Sequence, residues 1–437
     1  MDRRSFLRTA LAGAGTIAFG EAFWRAAQAG PATDADYSSY GALGPADSNG
    51  LQYPSGFSGR LVARSGTPVG LTPHVWPAFP DGAACFSADD GWILVVNSEN
   101  PPPADVGLLP QLQDQMGGAS AIVFDAQGNI VDAYWILRGT RSNCAGGVTP
   151  WGTWLSCEEF DNTARTPGAL TSDAGRVWEC DPVRGGFRAV EVPTLGRFKH
   201  EAAAFDAEGR VYLTEDLGDG CLYRFTPANP TSPPTRDTLD SGVLEALKVG
   251  TDGTTVSWEG PIDPSASSRS TRKQAIDDLH ATPFNGGEGC YYANGVVLFT
   301  TKGDDRVWSL KLGTNSDPDT LEVLYDGRTP AGERVLTGVD NIIVSPHTGN
   351  IYVAEDGGNM EVVVIETYPD SGDRTAAPLI RATGPQHGES NPTPIPTASE
   401  ITGLALSPDC RRLYFNGQRS FGLGVTYEVL AADGKLF

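Results

Sequence analysis

Histidine is scarce, with five residues among 437, and their spacing matches no zinc site. No GxSxG elbow, P-loop or dinucleotide-binding glycine fingerprint occurs in its proper context, which argues against serine hydrolases, P-loop NTPases and Rossmann dehydrogenases. Helix signal is scant, and only Arg272–Leu279 reads as a short helix. Basic residues are outnumbered, 32 Lys and Arg against 54 Asp and Glu, giving a formal charge of −22. So acidic a chain repels nucleic acid and anionic membrane and suits hard cations. The apolar run near the N-terminus is too short and too glycine-rich to span a membrane.

That run belongs to an export signal. Arg3–Arg4–Ser5–Phe6–Leu7 has the twin-arginine form, and Ala27–Gln28–Ala29 precedes Gly30. The expectation is a signal peptide over 1–29, handled by the twin-arginine translocase, and a single mature domain over 30–437. The protein is then periplasmic or secreted, with no membrane attachment after cleavage. Cleavage removes four Arg and two acids, moving the charge to about −24. Twin-arginine export carries folded proteins, often because a cofactor is installed first.

What is abundant is a repeated hairpin. Asn143–Glu159, NCAGGVTPWGTWLSCEE, holds two short apolar runs around turn residues and closes on Cys157, Glu158 and Glu159. The plan recurs in Asp81…Asn97–Glu99, Glu201…Glu215–Asp216, Glu288…Lys302, Asp340…Glu355–Asp356 and Glu400…Asn416. Successive openings lie 62, 58, 87, 52 and 60 residues apart. A period of this size with four strands per unit predicts an all-β, six-bladed β-propeller of four-stranded antiparallel blades. The last unit runs out of chain, so the N-terminal strand near Gly59–Arg64 is expected to complete it and close the ring. An insertion around 226–280, rich in Pro, Ser and Thr, interrupts the third unit.

In a propeller the innermost strands line a central channel, so residues opening them converge at one mouth. Asn97, Asn143, Cys157, Glu158, Glu201, Glu288, Asp340 and Glu400 are expected to face one another there. Glu99 and the pairs Glu215–Asp216 and Glu355–Asp356 are further metal-ligand candidates that close second strands. Asp and Asn also cap turns, but six units in phase argue for a shared purpose. Crowded carboxylates ionise together only with a counter-charge. A ring of oxygens suits Ca²⁺, and one thiolate among them suggests a softer transition metal as well. His200 and His347 read as supporting residues. With Cys157 as a ligand, Cys85, Cys144, Cys180, Cys221, Cys290 and Cys410 remain, for up to three disulfides or as buried thiols.

NCAGGVTPWGTWLSCEE, RFKHEAAAFDAEGRVYLTEDLGDGCLYRFTP and EGCYYANGVVLFTTKGDDRVW resemble the PhoX-type alkaline phosphatases. The resemblance, with the twin-arginine start and the six-unit plan, covers nearly the whole chain. It implies a six-bladed propeller with a central calcium and iron (Ca²⁺, Fe³⁺) site, and a small phosphorylated substrate. It further implies Cys157 as the iron-binding thiolate, with Glu201 and neighbouring ring carboxylates as ligands. Where many relatives read Asn-His-Glu, this chain has Asn97–Ser98–Glu99, and no arginine precedes Asp340. The cation gripping phosphate is then sought among Lys302, Arg197 and Arg419. Two other readings stand beside this one: a lactonase-like calcium propeller hydrolase, and a non-enzymatic calcium-binding platform.

Overall fold

The computed structural model describes residues 31–100, 117–160, 175–186, 188–267, 269–314, 317–328, 334–356, 359–367, 373–387 and 399–437. The expected export signal, 1–29, lies outside the described residues. The described chain is all-β and propeller-like, with a few short helical turns.

Six inner strands open the hairpins: Pro80–Ala88, Asn143–Val148, His200–Phe205, Gly287–Ala293, Val339–Val344 and Ile401–Leu406. Each pairs antiparallel with the strand that follows it. Local chemistry sets the turns. Asn294 and Gly295 join two strands with φ of 48° and 83°, the left-handed pair that a two-residue hairpin needs. The second strands are apolar because they are covered on both faces; every residue of Val211–Glu215 and Ile351–Glu355 is buried.

The inner strands pack side by side in a closed cycle. Asn97, in the first hairpin, donates to Cys144 O and Ala145 O of the second at 3.0 and 2.7 Å. A Cβ on Gly147 would stand 1.8 Å from Ala203 O, so the second and third inner strands touch backbone to backbone. Thr214 donates to Glu288 O, and Thr300 donates to Asp340 O at 2.6 Å. Gly403 N donates to Asn341 Oδ1, and Thr402 Oγ1 donates to Pro80 O, which returns to the start.

Six separate four-stranded blades were expected; the hydrogen bonding instead makes five sheets, of six, four, nine, four and four strands. The cause is the insertion. It supplies an extra strand, Thr255–Ile262, which pairs with Gly242–Val249 on one side and Asp319–Asp326 on the other. The third and fourth units are thereby welded at their outer edges. Helical turns at Thr271–Lys273 and Gln274–Asp278 follow, where a short helix was expected.

Closure runs as the sequence implied. Ser58–Arg64 pairs antiparallel with Val425–Leu430, so the N-terminal strand completes the last sheet. Thr33–Asp34 and Leu51–Gln52 add to Arg374–Ala382 and cover the open edge of another. The core lies between adjacent sheets: Trp92 stacks on Phe124 and donates its indole N–H to Tyr414 OH of the last sheet at 3.1 Å.

Candidate metal centre at the channel mouth

Every inner strand carries a register shift at its start. Pairing skips from Pro80 to Ala83, Asn143 to Gly146, His200 to Ala203, Gly287 to Cys290, Val339 to Ile342 and Thr402 to Ala405. A bulge frees a residue from the ladder and re-aims its side chain. The first residue in five of these gaps is Asp81, Cys144, Glu201, Glu288 or Asp340; in the sixth it is Gly403. One backbone device, repeated around the ring, thus puts four carboxylates and one thiol at the same level of the channel.

Ligand atoms within 4.8 Å of one another group as Asp81–Cys144–Glu201, Glu99–Cys144–Glu159, Asp81–Glu99–Glu400 and Glu201–Glu288–Asp340. Shared members make these one continuous cluster. Of the expected ligands, Glu99, Glu201, Glu288, Asp340 and Glu400 are in it. Asp81, Cys144 and Glu159, which are not among the expected ligands, join them.

Cys157 is not in this cluster. It is fully buried among Leu155, Val177, Phe198 and Ala203, and the thiol at the mouth is Cys144. The reason is register: the 143–158 hairpin bulges at Cys144–Ala145, and Cys157 faces that bulge from the second strand. Glu158 is spent on local bonds, accepting from Arg141 N and Arg176 N at 3.2 Å each. Asn97 and Asn143 are also structural. Asn97 accepts from Trp154 Nε1 and Ser156 Oγ at 2.9 Å, and Asn143 bonds Thr140 and Ser156. The acid pairs divide their labour. Glu215 accepts from Cys221 N and Tyr223 OH, and Glu355 from Thr337 N and Glu361 N, within their own sheets. Asp216 and Asp356 turn towards the mouth, where Lys199 lies 3.1 Å from the former and Lys302 3.0 Å from the latter.

All seven cysteines are free thiols, so of the two readings the structure has the thiols rather than the disulfides. His200 is buried against Phe198, and burial pulls its pKa down to about 3. It supports the strand.

Cations ring the acids. Lys302 Nζ lies 2.7 Å from Glu288, Lys199 Nζ 2.5 Å from Glu159, and Arg419 2.7 Å from Glu400. Lys302 and Arg419 were expected at the mouth. Arg197 is half-buried, with its carbonyl accepting from Thr271 Oγ1; Lys199, two residues on, is the side chain touching Glu159 and Asp216. Gln418 donates one amide group to both Asp81 and Glu99, at 2.5 and 2.9 Å.

Among the described residues, these three cations do not balance so many acids. Burial, then neighbouring carboxylates, pushes Glu201 well above the ordinary range. Burial likewise drives Glu288 and Asp340 well up, against the pull of Lys302. Asp81 is raised to about 6 and Glu99 to about 8, burial leading in both. Burial would raise Asp356 too, but a hydrogen bond from Glu400 and the Lys302 charge bring it down to about 2. Both oxygens of Glu201 and Oδ1 of Asp81 are buried without a hydrogen-bond partner. A buried carboxylate with no donor is costly unless a cation meets it. The residues therefore fit cation binding: many hard oxygens, one soft sulfur, and orphaned lone pairs at the centre.

A sequence signal for the missed ligands existed. Asp81, Cys144, Glu201 and Glu288 are each followed by Gly or Ala, and a Cβ on Gly82 or Gly289 would stand 2.4 or 2.6 Å from the backbone of the next inner strand. Aligning on that pair puts Cys144, not Asn143, in phase with Glu201.

Fold and site together define a propeller-like protein with an acidic, thiol-bearing candidate metal site at its channel mouth. The sequence matches the family model Alkaline phosphatase PhoX over residues 113–309 and 301–420. The chain belongs to that family, the metal-dependent PhoX alkaline phosphatases. The structure is similar to PhoX of Pseudomonas fluorescens in complex with vanadate, a transition state analogue, with TM-score 0.67 and 16% identity over 90% of this chain and 98% of that one. It also resembles a gluconolactonase from Xanthomonas campestris, with TM-score 0.44 and 9% identity over 91% and 99%. No curated protein sequence matches the chain.

Proposed function

We propose that the protein is exported through the twin-arginine route and hydrolyses small phosphate monoesters outside the cytoplasm, with calcium and iron held at the channel mouth. Asp81, Glu99, Glu159, Glu201, Glu288, Asp340 and Glu400 would supply the oxygens and Cys144 the sulfur that favours iron. The observation carrying this is the fully buried Glu201, with two unpartnered oxygens between Asp81–Cys144 and Glu288–Asp340. We read the nine-stranded sheet as two blades joined by the insertion, which makes six blades around one channel and keeps 30–437 a single domain.

Bound cations would supply positive charge to neutralise phosphoryl oxygens and to make a water acidic. The chain's own residues prepare that site. Lys199, Lys302 and Arg419 are partly exposed, so they draw an anionic ester towards an otherwise repulsive mouth. Lys302 is the first candidate for holding a non-bridging oxygen, since its ammonium already sits between Glu288 and Asp356. Gln418 orients Asp81 and Glu99 with a single amide. Beyond the acids the channel is lined by small and apolar residues, including Ala84, Val148, Ala204, Ile342 and Leu404, around a cavity of about 440 Å³. Charges above so apolar a floor act in a poorly screened environment, which strengthens their grip on phosphate.

The test uses protein purified after native export. Elemental analysis should find calcium and iron together, and a chromogenic phosphate monoester should be hydrolysed best at alkaline pH. A calcium chelator should abolish that activity. Fully active protein without iron would remove iron from the reading. Hydrolysis of a lactone with no phosphate ester cleaved would replace the reaction, although the thiol at Cys144 fits poorly with a site of oxygen ligands alone.

A further inference from the structure

The bulges that aim the ligands also strip their backbones of ladder partners, and the structure shows where those carbonyls turn. A bulged residue's C=O loses its cross-strand bond and needs another donor. In four cases the donor is a buried side chain of the preceding unit. Asn97 Nδ2 serves Cys144 O at 3.0 Å, Asn416 Nδ2 serves Asp81 O at 2.7 Å, Thr300 Oγ1 serves Asp340 O at 2.6 Å, and Thr214 Oγ1 serves Glu288 O. Asn97, Thr214 and Thr300 stand at the same place in their hairpins, on the second strand opposite the bulge. Two residue types of different size do the same task there. All four are at most 1% exposed.

From this we infer that Asn97, Thr214, Thr300 and Asn416 are positioning residues for the metal centre. Each fixes the backbone of a ligand in the next unit, so the spacing of ligands around the mouth is set by bonds between units. The inference rests on the proposed metal site and adds a layer to it. It explains why Asn97 looks like a ligand in the sequence: it is buried, polar and in phase, yet all its bonds go to protein. Cys157 occupies the same register position opposite the Cys144–Ala145 bulge, but packs against apolar neighbours. The hydrogen bond is therefore a property of particular units, and removing one should disturb one ligand.

The experiment compares Thr300→Val with Thr300→Ser in the exported, metal-loaded chain. Valine matches threonine in shape and lacks the donor; serine keeps the donor and loses a methyl. The readout is the concentration of calcium chelator that removes half the bound calcium, with the KM–kcat split on a phosphate monoester beside it. Thr300→Val should keep the wild-type circular dichroism, release calcium at about tenfold lower chelator, and lose kcat more than KM. Thr300→Ser should return to within about twofold of wild type. Thr214→Val and Thr214→Ser repeat the comparison at Glu288 should the first valine variant fold poorly. Valine variants with unchanged chelator midpoints, or serine variants as weak as valine, would overturn the inference and leave the metal site standing. Wild-type protein that holds no calcium would overturn the metal reading itself, and the inference with it.

Discussion

Replacing the two cysteines of the central hairpin, one at a time, separates a ligand from a core residue. Cys144 Sγ lies within 4.8 Å of ligand oxygens of Asp81 and Glu201 in one grouping and of Glu99 and Glu159 in another. Burial, then the surrounding carboxylates, holds its thiol well above the ordinary range, so without a cation it stays protonated. A metal reverses that, because a thiol yields its proton to a soft cation where a serine hydroxyl does not. Cys144→Ser should therefore fold, retain calcium in part, and lose iron and phosphatase activity by about a hundredfold or more. Cys157→Ser should behave in the opposite way. It buries a hydroxyl among Leu155, Val177 and Phe198, at a cost of about 1–3 kcal/mol, so it melts a few degrees lower but keeps its iron and activity. Iron by elemental analysis, monoester turnover and thermal unfolding on the same preparations decide the matter. Full iron and activity in Cys144→Ser, or iron lost from Cys157→Ser alone, would refute the assignment.

Three further outcomes follow from the same geometry. Metal-stripped protein should lose stability as pH rises from about 4 to about 8, because Asp81 and Glu99 have folded pKa values of about 6 and about 8, above their unfolded ones. The folded state then holds protons that the unfolded state gives up, a loss on the order of 3 kcal/mol for Asp81 alone. Melting at pH 5 and 8 with and without calcium tests this, and a stripped protein that becomes more stable at pH 8 contradicts it. Asn97→Leu removes two donations to Cys144 and Ala145 carbonyls and strands the Trp154 indole, so a loss of about 2–4 kcal/mol is expected in urea unfolding. Lys302→Met should raise KM for a phosphate monoester about tenfold or more with the fold intact; an unchanged KM would pass the phosphate contact to Lys199 or Arg419.

Much of this protein is written locally. The hairpins follow from short apolar runs separated by turn residues such as Asn294–Gly295, and their recurrence announces a ring without reference to any contact. Closure by Ser58–Arg64 follows because a unit short of a strand must find one. The acidic mouth was legible as well, since Glu201, Glu288 and Asp340 open their strands in phase. What the sequence left open turned on shifts of a single residue. Strand side chains alternate, so a bulge of one residue exchanges the residue aimed into the channel for its neighbour. That exchange brought Cys144 to the carboxylate cluster and left Cys157 in the core. It also made Asn97 and Asn143 hydrogen-bonding partners of the backbone and of neighbouring side chains. Gln418 and Lys199 reach the acids only because the ring folds their ends onto the mouth, and no spacing along the chain records that approach. The joining of the third and fourth units was hidden for the same reason: Thr255–Ile262 lies in a stretch that the sequence marks only as an insertion, and only the tertiary structure determines which two edges it bridges.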